Sequence, residues 1–238
     1  METIATRLES VKLRIAEAAK LAGRDPQEIL LLAASKTNQP EKLREAWNAG
    51  QKVFGENYLQ EGLIKIRALS DLPIEWHFIG PIQSNKTKLI AENFAWVHSV
   101  DREKIAVRLA SARPESLPPL QVCVQVNVSG EVTKSGISPD DAIALATFVS
   151  QQPRLKLRGL MAVPELTSAT ALQREQFQVM REIFEQLKKQ GFDVDTLSMG
   201  MSEDMTIAIA EGATIVRIGT AIFGARRYAI PEELAPRQ

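Results

Sequence analysis

Apolar runs and amphipathic stretches alternate along the chain. The first run covers residues 29–35, and the stretch at 40–50 repeats its apolar positions at helical spacing until Gly50 ends it. The same order of strand and helix recurs to give eight pairs. The predicted strands cover residues 29–35, 52–57, 74–80, 94–100, 120–128, 155–163, 196–200 and 214–219. The predicted helices cover residues 40–50, 58–69, 85–92, 102–112, 138–152, 172–190, 202–212 and 220–227.

A further helix precedes this series. Its apolar positions share one helical stripe, and Gly23 and the pair Asp25-Pro26 interrupt it. We expect this helix to pack on the outside of a larger body. The stripe consists of Ile4, Leu8, Val11, Ile15 and Ala18.

Strands such as LQVCVQVNV are apolar nearly throughout, which is typical of a parallel sheet covered on both faces. Eight strands joined by right-handed crossovers can close such a sheet into a barrel. An open doubly wound sheet is the alternative, but it predicts a glycine-rich turn after the first strand, where this chain has SKTNQPEK. We therefore predict one domain over residues 1–238, a single (β/α)8 TIM-type barrel with an extra N-terminal helix.

Composition and charge exclude several classes of protein. Hydrophobic residues make up 45% of the chain and charged residues 24%, which is typical of a folded globular domain. The 29 basic residues balance 29 acidic ones, so overall charge does not favour nucleic acid or acidic lipid. Cys123 stands alone and cannot form an internal disulfide or a thiolate zinc cluster. With no apolar signal core and no apolar run near the roughly 20 residues of a membrane span, we expect a cytoplasmic protein.

Polar residues collect where the predicted strands end. In (β/α)8 barrels the C-terminal ends of the strands surround one mouth, and active sites lie there. We therefore expect these residues to converge on a single site. They are Lys36, Asn57, His77 with Gly80, His98 with Ser99, Asn127, Met161, Ser198 with Gly200, and Arg217 with Gly219 and Thr220.

Lys36 directly follows the first apolar strand. Burial at the barrel mouth lowers the pKa of a lysine towards the range in which its amine is a nucleophile, as imine formation requires. The alternative is a lysine that only extends along the barrel rim to reach water. Position alone leaves both interpretations open.

The end of the eighth strand suggests a phosphate site. The loops after strands seven and eight of these barrels often hold phosphate at the start of a short helix. Gly219 allows close approach of the backbone, Thr220 caps the following helix, and Ser198 and Ser202 supply hydroxyl groups. The alternative is that Gly219 and Gly200 serve only as turns leading into helices.

Arg217 lies on the eighth strand itself. A guanidinium inside a barrel must face an acceptor or a carboxylate, so either a ring nitrogen of a ligand or an ion pair with Glu56 or Glu203 explains it. An imine-forming lysine, a phosphate site and an arginine for a pyridine nitrogen together describe a site for pyridoxal 5′-phosphate.

The chain resembles the pyridoxal-phosphate homeostasis protein family over nearly its whole length. The segments that carry the resemblance are AASKTN at 33–38, FGENY at 54–58, WHFIGPIQSNK at 76–86, QVNVSGEVTKSGI at 125–137, RGLMAVP at 158–164, and LSMGMSEDM through VRIGTAIFGAR at 197–226. That family is similar in fold to the barrel domain of bacterial alanine racemases, a fold-type III barrel. The resemblance implies that Lys36 carries the cofactor as an aldimine, Ser198, Ser202, Gly219 and Thr220 hold its phosphate, Arg217 faces the pyridine nitrogen, Asn57 lines the ring, and Met199 and Gly200 contribute backbone amides.

The resemblance also implies a protein that stores, buffers or delivers the cofactor, with PLP-dependent apo-enzymes as acceptors, rather than one that turns over substrate. An amino-acid racemase-like enzyme is the alternative, and it needs a second base opposite the lysine. The candidates for that base are Tyr58, Tyr228, His77 and His98, and both histidines lie within strands, where a hydrogen-bonded structural histidine is commoner.

A third hypothesis is an interaction module that reports cofactor status to a partner, although the charged helices are typical of solvated outer faces. Two histidines without matching carboxylates do not predict a metal site. Alanine racemases form their dimer through a separate C-terminal domain, whereas only residues 228–238 follow the predicted barrel, so we expect a monomer.

Overall fold

Eight parallel strands close into a barrel in the computed structural model, which describes residues 2–131, 134–164 and 169–224. Each strand pairs with its neighbour in sequence, and the eighth pairs with the first, so the predicted (β/α)8 barrel is confirmed. The strands are β1 Leu30–Ala34, β2 Val53–Glu56, β3 Glu75–Phe78, β4 Trp96–Val100, β5 Leu120–Val126, β6 Leu155–Ala162, β7 Thr196–Ser198 and β8 Ile215–Ile218.

Helices follow the strands in the described residues, as the alternating pattern predicts. Pro40 begins α2, and Gly50, with a φ of 95°, follows its end, because glycine adopts this left-handed conformation without strain. The helices are α1 Ile4–Leu21, α2 Pro40–Asn48, α3 Leu59–Ala68, α4 Thr87–Asn93, α5 Glu103–Ala112, α6 Ala142–Ser150, α7 Thr170–Lys189, α8 Met205–Ala210 and α9 Thr220–Phe223.

Helix α1 packs against α2, α8 and α9, outside the barrel. The Thr3 hydroxyl caps it by accepting the Thr6 N–H. Its buried side chains include all five residues of the predicted stripe, so the expected packing of this helix is confirmed. None of the described helices is both long enough and apolar enough to cross a membrane.

The apolar interior has two parts. The larger fills the space between the sheet and the helices, and the smaller, formed by Trp96, Cys123 and Met161, is a separate cluster. Burial raises the pKa of the Cys123 thiol to about 12, so this cysteine is neutral and unreactive at physiological pH.

Two of the predicted helices begin markedly later in the structure than the sequence predicts. Helix α8 begins at Met205 rather than at residue 202, because the Asp204 carboxylate accepts the Met201 N–H and holds residues 202–204 in a turn. Helix α6 begins at Ala142 rather than at 138, because the Ser138 hydroxyl and Asp141 form a local turn. The predicted end of the last helix, residues 225–227, and Tyr228 lie outside the described residues.

Candidate functional site

The C-terminal ends of the strands are joined by short polar contacts. The Ser35 N–H donates to the Gly55 carbonyl at 2.9 Å, linking the end of β1 to β2. The Ser99 hydroxyl donates to the Gly80 carbonyl at 2.5 Å, and the Arg217 N–H donates to the Gly200 carbonyl at 2.9 Å. These contacts bring the strand ends that precede Lys36 and that carry Gly80, Ser99, Gly200 and Arg217 to one mouth of the barrel. Met161 instead lies in the interior cluster with Trp96 and Cys123.

Lys36 lies in the turn after β1 and is half-buried. Its carbonyl accepts the Asn38 side-chain N–H at 3.1 Å. The next residue, Thr37, has a φ of 64°, a left-handed conformation that a β-branched residue rarely adopts. Its N–H donates to Glu61 Oε2 at 2.9 Å, so α3 holds the strained turn that carries Lys36.

A buried ion pair stabilises the turn that carries Lys36. Lys65 Nζ lies 2.8 Å from Glu56 Oε1 and donates at 2.9 Å to the Ser35 carbonyl, next to Lys36. The Ser35 hydroxyl donates to the same carboxylate. Burial raises the pKa of Glu56, while the charge and hydrogen bonds of Lys65, and then the Ser35 hydroxyl, act in the opposite direction by stabilising the carboxylate.

The sequence analysis missed Lys65. A usable signal existed, because Lys65 falls on the same helical stripe as Leu59, Gly62 and Leu69, which are buried. A lysine on an apolar stripe needs a buried partner, and the only carboxylate at the end of a neighbouring predicted strand is Glu56.

Asn57 follows β2 and presents an acceptor without a donor. Its side-chain oxygen Oδ1 is buried and has no hydrogen-bond partner within the described residues. Gly80 packs against the backbone of Asn57 so closely that a Cβ on residue 80 would lie 2.0 Å from the Asn57 carbonyl oxygen. Because a buried polar atom without a partner costs free energy, this oxygen suits a ligand that supplies an N–H or O–H group.

Arg217 on β8 is 6% exposed, and its hydrogen-bond partners among the described residues are all uncharged. Its Nη1 donates to the Ser198 carbonyl at 2.6 Å and to Ser198 Oγ at 2.8 Å, and its Nη2 donates to the Ala162 carbonyl at 2.8 Å. Burial lowers its pKa to about 10, so it remains a cation at neutral pH. The alternative of an ion pair with Glu56 or Glu203 is wrong, because Glu56 pairs with Lys65 and Glu203 makes no ion pair with Arg217 among the described contacts.

Several polar groups of the turn after β7 are hydrogen-bonded within the protein. Ser198 is fully buried, and its hydroxyl lies between Arg217 Nη1 and His98 Nδ1, each at 2.8 Å. The Met199 N–H donates to the Ile215 carbonyl at 3.1 Å. Gly200 has a φ of 96° and packs against α8, while Ser202 is half-buried and accepts Arg14 through its carbonyl. Gly200 and Ser202 therefore remain the better-placed groups of this turn for an anion.

The backbone after β8 runs close to the end of β1. A Cβ on Gly219 would lie 2.9 Å from the Ala34 carbonyl oxygen, two residues before Lys36. Gly219, rather than Thr220, is the N-cap of α9, and Thr220 is its exposed first residue. The prediction that Thr220 caps this helix is wrong, because the chain enters the helix at the glycine, where the approach to β1 leaves no room for a side chain.

His77, His98 and Asn127 have partners within the protein. Both histidines are fully buried and hydrogen-bonded, which confirms the structural interpretation of them. The Asn127 side-chain amide donates to the Glu131 carbonyl at 2.9 Å and shapes its own loop. Within the described part of the chain, no group of three His, Cys, Asp or Glu residues is placed to hold a metal ion.

Three surface depressions lie away from the mouth. One of about 400 Å³ lies between α1 and the starts of β1 and β2, and another of about 420 Å³ lies on the outer side of α1. The third, about 590 Å³, lies at the N-terminal end of the barrel beside Glu75, Trp96 and Arg158. The candidate site is therefore defined by its chemistry at the strand ends and not by the size of a cavity.

The fold defines the broader class of protein. The family model for the N-terminal domain of alanine racemase matches residues 10–227. The solved alanine racemase of Corynebacterium glutamicum is similar in fold, with a TM-score of 0.68 at 15% identity, over 94% of this chain and 64% of the racemase.

Closer relatives define the narrower class. The chain is 59% identical to the pyridoxal phosphate homeostasis protein of Pseudomonas aeruginosa over 97% of its length and 99% of that protein. It is 52% identical to the protein of the same name in Escherichia coli K12, over 96% and 99% of the two chains. The structure of PipY from Synechococcus elongatus with PLP bound matches with a TM-score of 0.77 at 38% identity, over 88% of this chain and all of that one. This chain therefore belongs to the pyridoxal phosphate homeostasis proteins.

Proposed function

We propose that this protein binds pyridoxal 5′-phosphate at the barrel mouth, with the cofactor held on Lys36 as an internal aldimine, and that it stores, buffers or delivers the cofactor. One observation carries the proposal. Among the described residues, the buried cation of Arg217 donates hydrogen bonds to uncharged groups and forms no ion pair, at the same mouth as the half-buried Lys36. The Asp204 carboxylate acts on it only through a longer-range charge interaction. When bound, the cofactor supplies an aldehyde that condenses with an amine and a ring that accepts electron density.

The residues at the mouth fit this ligand. Lys36 offers the amine, Arg217 offers charge to a ring nitrogen, and the Asn57 side-chain oxygen accepts a donor. The turns at Gly200 to Ser202 and at Gly219 to Thr220 hold the phosphate through backbone amides and hydroxyl groups. We assign Met199 to the sheet and Ser198 to holding Arg217, because the polar groups of both are already engaged.

The same geometry favours a binding role over racemisation. An arginine beside the pyridine nitrogen disfavours protonation of that nitrogen, since two cations repel, and this weakens the ring as an electron acceptor. His77 and His98 are buried in hydrogen bonds of their own, and Tyr58, 53% exposed, lies at the start of α3. The acceptors we propose for the cofactor are PLP-dependent apo-enzymes.

The visible absorbance spectrum tests the binding proposal. We expect a yellow band after reconstitution with PLP, loss of that band on treatment with borohydride, and no such band in Lys36→Ala. Lys42→Ala is the matched control, because Lys42 Nζ lies near the mouth, 3.4 Å from the Phe223 carbonyl oxygen, and should leave the band unchanged. A borohydride-sensitive band that survives in Lys36→Ala contradicts the proposal.

Transfer of the cofactor separates a carrier from an enzyme. We expect the loaded protein to restore the activity of a PLP-dependent apo-enzyme, and we expect no Lys36-dependent exchange of the α-proton of amino acids in deuterium oxide. Exchange without transfer would favour the racemase-like alternative. We further propose that the protein acts as a monomer in the cytoplasm, and light scattering during gel filtration should give the mass of one chain.

A further inference from the structure

A continuous line of hydrogen bonds crosses the barrel interior from one end to the other. At the N-terminal end, Glu75 Oε1 lies 2.9 Å from His77 Nε2. His77 Nδ1 lies 2.8 Å from His98 Nε2, and His98 Nδ1 lies 2.8 Å from Ser198 Oγ. Ser198 Oγ accepts Arg217 Nη1 at 2.8 Å, at the mouth. The two ends of the line are thus a carboxylate and a guanidinium.

The direction of each bond follows from the carboxylate end. An ionised Glu75 can only accept, so His77 must carry its proton on Nε2. A neutral His77 then accepts at Nδ1, which places the proton of His98 on Nε2. His98 in turn accepts at Nδ1, so the Ser198 hydroxyl donates to it and leaves its oxygen to accept Arg217. Every donor along the line therefore points from Arg217 towards Glu75.

The surroundings keep both histidines neutral. Burial lowers the pKa of His77 and lowers that of His98 further, with the neighbouring His77 and Arg217 adding to the effect on His98. Trp96 stacks on His77 with ring centres 5.0 Å apart. The guanidinium of Arg158 lies over the Trp96 ring, 4.5 Å from its centre. A hydrogen bond from His77 lowers the pKa of Glu75, which keeps the acceptor end ionised.

The acceptor end reaches water. The Glu75 side chain is 48% exposed and lines the depression of about 590 Å³ at the N-terminal end of the barrel, together with Arg113 and Arg158. Arg158 is paired with Asp195. Because its guanidinium has donors only, Glu75 remains the acceptor for His77. The line thus connects a solvated carboxylate on one face of the barrel with a buried cation on the other.

We propose that Glu75, His77, His98 and Ser198 form a directional relay that orients Arg217 towards the ligand at the mouth. Two protons of Arg217 Nη1 are held by Ser198, which leaves the rest of the guanidinium to Ala162 and to the site. These four are positioning residues that act through Arg217. The effect on the cofactor rests on the proposed function, but the relay itself is a property of the protein without ligand.

Nitrogen NMR of the cofactor-free protein tests the relay directly, because the chain has two histidines and their signals are easily assigned. We expect both rings to be neutral and protonated at Nε2 at neutral pH, and to titrate only below the ordinary histidine pKa. A ring protonated at Nδ1, or one that titrates near its ordinary pKa, overturns the proposal whatever the outcome of PLP binding.

Glu75→Ala then tests whether Glu75 determines which nitrogen of His98 carries the proton. Without the carboxylate we expect Nδ1-protonated forms to appear at His98, which does not touch residue 75, whereas Glu75→Gln keeps an acceptor and should preserve the wild-type signals. Glu92→Ala is the matched control, since Glu92 lines the same depression outside the relay. If the nitrogen signals of His98 are unchanged in Glu75→Ala, the proposed relay from Glu75 to His98 is overturned.

A double-mutant cycle tests the action on Arg217 in the loaded protein. We expect Ser198→Ala to weaken PLP binding about tenfold, and to add nothing when combined with Arg217→Met, because the first change removes the orientation of a cation that the second removes altogether. Cys123→Ala, a truncation elsewhere in the barrel interior, should bind PLP as the wild type does. Effects of Ser198→Ala and Arg217→Met that simply add, or Ser198→Ala without effect, overturn the positioning role.

Discussion

Two buried cations lie near the mouth of this barrel, and their partners differ. Lys65 is bonded to the carboxylate of Glu56, which is fully buried, and to the Ser35 carbonyl. Arg217 is bonded to the Ser198 hydroxyl and to two carbonyl oxygens, and none of the described carboxylates forms an ion pair with it. Lys65 is thus paired with a carboxylate in direct contact, whereas the Asp204 carboxylate acts on Arg217 without an ion pair among the described residues.

The difference separates a structural charge from a functional one. A paired buried cation that loses its partner leaves a stranded charge, so Lys65 and Glu56 depend on each other. A buried cation whose hydrogen bonds go only to dipoles stabilises the fold less, and it retains the capacity to attract a ligand acceptor. We therefore assign Lys65 to the turn that carries Lys36, and the proposed role of Arg217 is to face the cofactor.

The largest expected effect is on stability at the paired site. Lys65→Met should lower the free energy of unfolding by about 3–5 kcal/mol, because it leaves the Glu56 carboxylate buried alone. Arg217→Met should cost less than about 2 kcal/mol, since it strands only neutral acceptors. Urea denaturation monitored by circular dichroism compares the two. The contrast fails if Lys65→Met is the milder change; the double variant Lys65→Met with Glu56→Leu should recover most of the loss.

The reverse order is expected for cofactor binding. Arg217→Met should weaken PLP binding by about 10- to 100-fold, the range for loss of one hydrogen bond to a charged group. Spectral titration of the cofactor-free protein with PLP measures this, and the variant's unfolding curve shows that the barrel remains intact. Unchanged affinity for PLP in a folded Arg217→Met protein would contradict the proposed role of Arg217 in cofactor binding.

A smaller effect is expected from the histidines that separate Arg217 from the opposite face. Their pKa values in the fold lie below the ordinary 6.5, so below that pH the unfolded chain binds more protons than the folded one, and stability falls as pH drops. For a histidine that stays neutral in the fold at pH 5.5, protonation of the unfolded chain lowers the free energy of unfolding by about 1.4 kcal/mol.

Urea midpoints from pH 7.5 to 5.5 measure this slope. His98 is faced by His77, Ser198 and Arg217, and His77 by Glu75, Arg158 and Trp96. Within the described part of the chain, Glu75 is therefore the one carboxylate that favours protonation of this pair. His98→Gln should flatten the slope. An equally steep slope in that variant would mean that other groups cause it.

The smallest effect is expected at an exposed pair. Arg44 and Asp71 form two hydrogen bonds, at 2.7 and 2.8 Å, on the surface. Solvent and salt screen such pairs, so Arg44→Gln should leave the urea midpoint unchanged within error. A resolvable loss of stability would show that burial is not what distinguishes Lys65 from other paired cations.

Much of this arrangement is readable from the order of apolar runs, and the rest depends on register across the barrel. The eight pairs of strand and helix predict closure, and closure alone brings Lys36 and Arg217 to one mouth. The contact of His98 with Ser198 joins β4 to β7, which are far apart in sequence, so no local pattern reports it. The contact of His77 with His98 joins consecutive strands but depends on their register. The ends of short helices also depend on single side chains, as Asp204 shows before α8.

The central claim is that Lys36, and not another lysine near the mouth, forms the covalent bond with the cofactor. Borohydride reduction of the PLP-loaded protein followed by tryptic digestion and mass spectrometry tests it most directly. We predict the pyridoxyl phosphate mass on a peptide that spans Asp25 to Lys42, uncut at Lys36 because the modified side chain blocks trypsin. Label at Lys42 or Lys65, or no label in a protein that has turned yellow, would contradict the account.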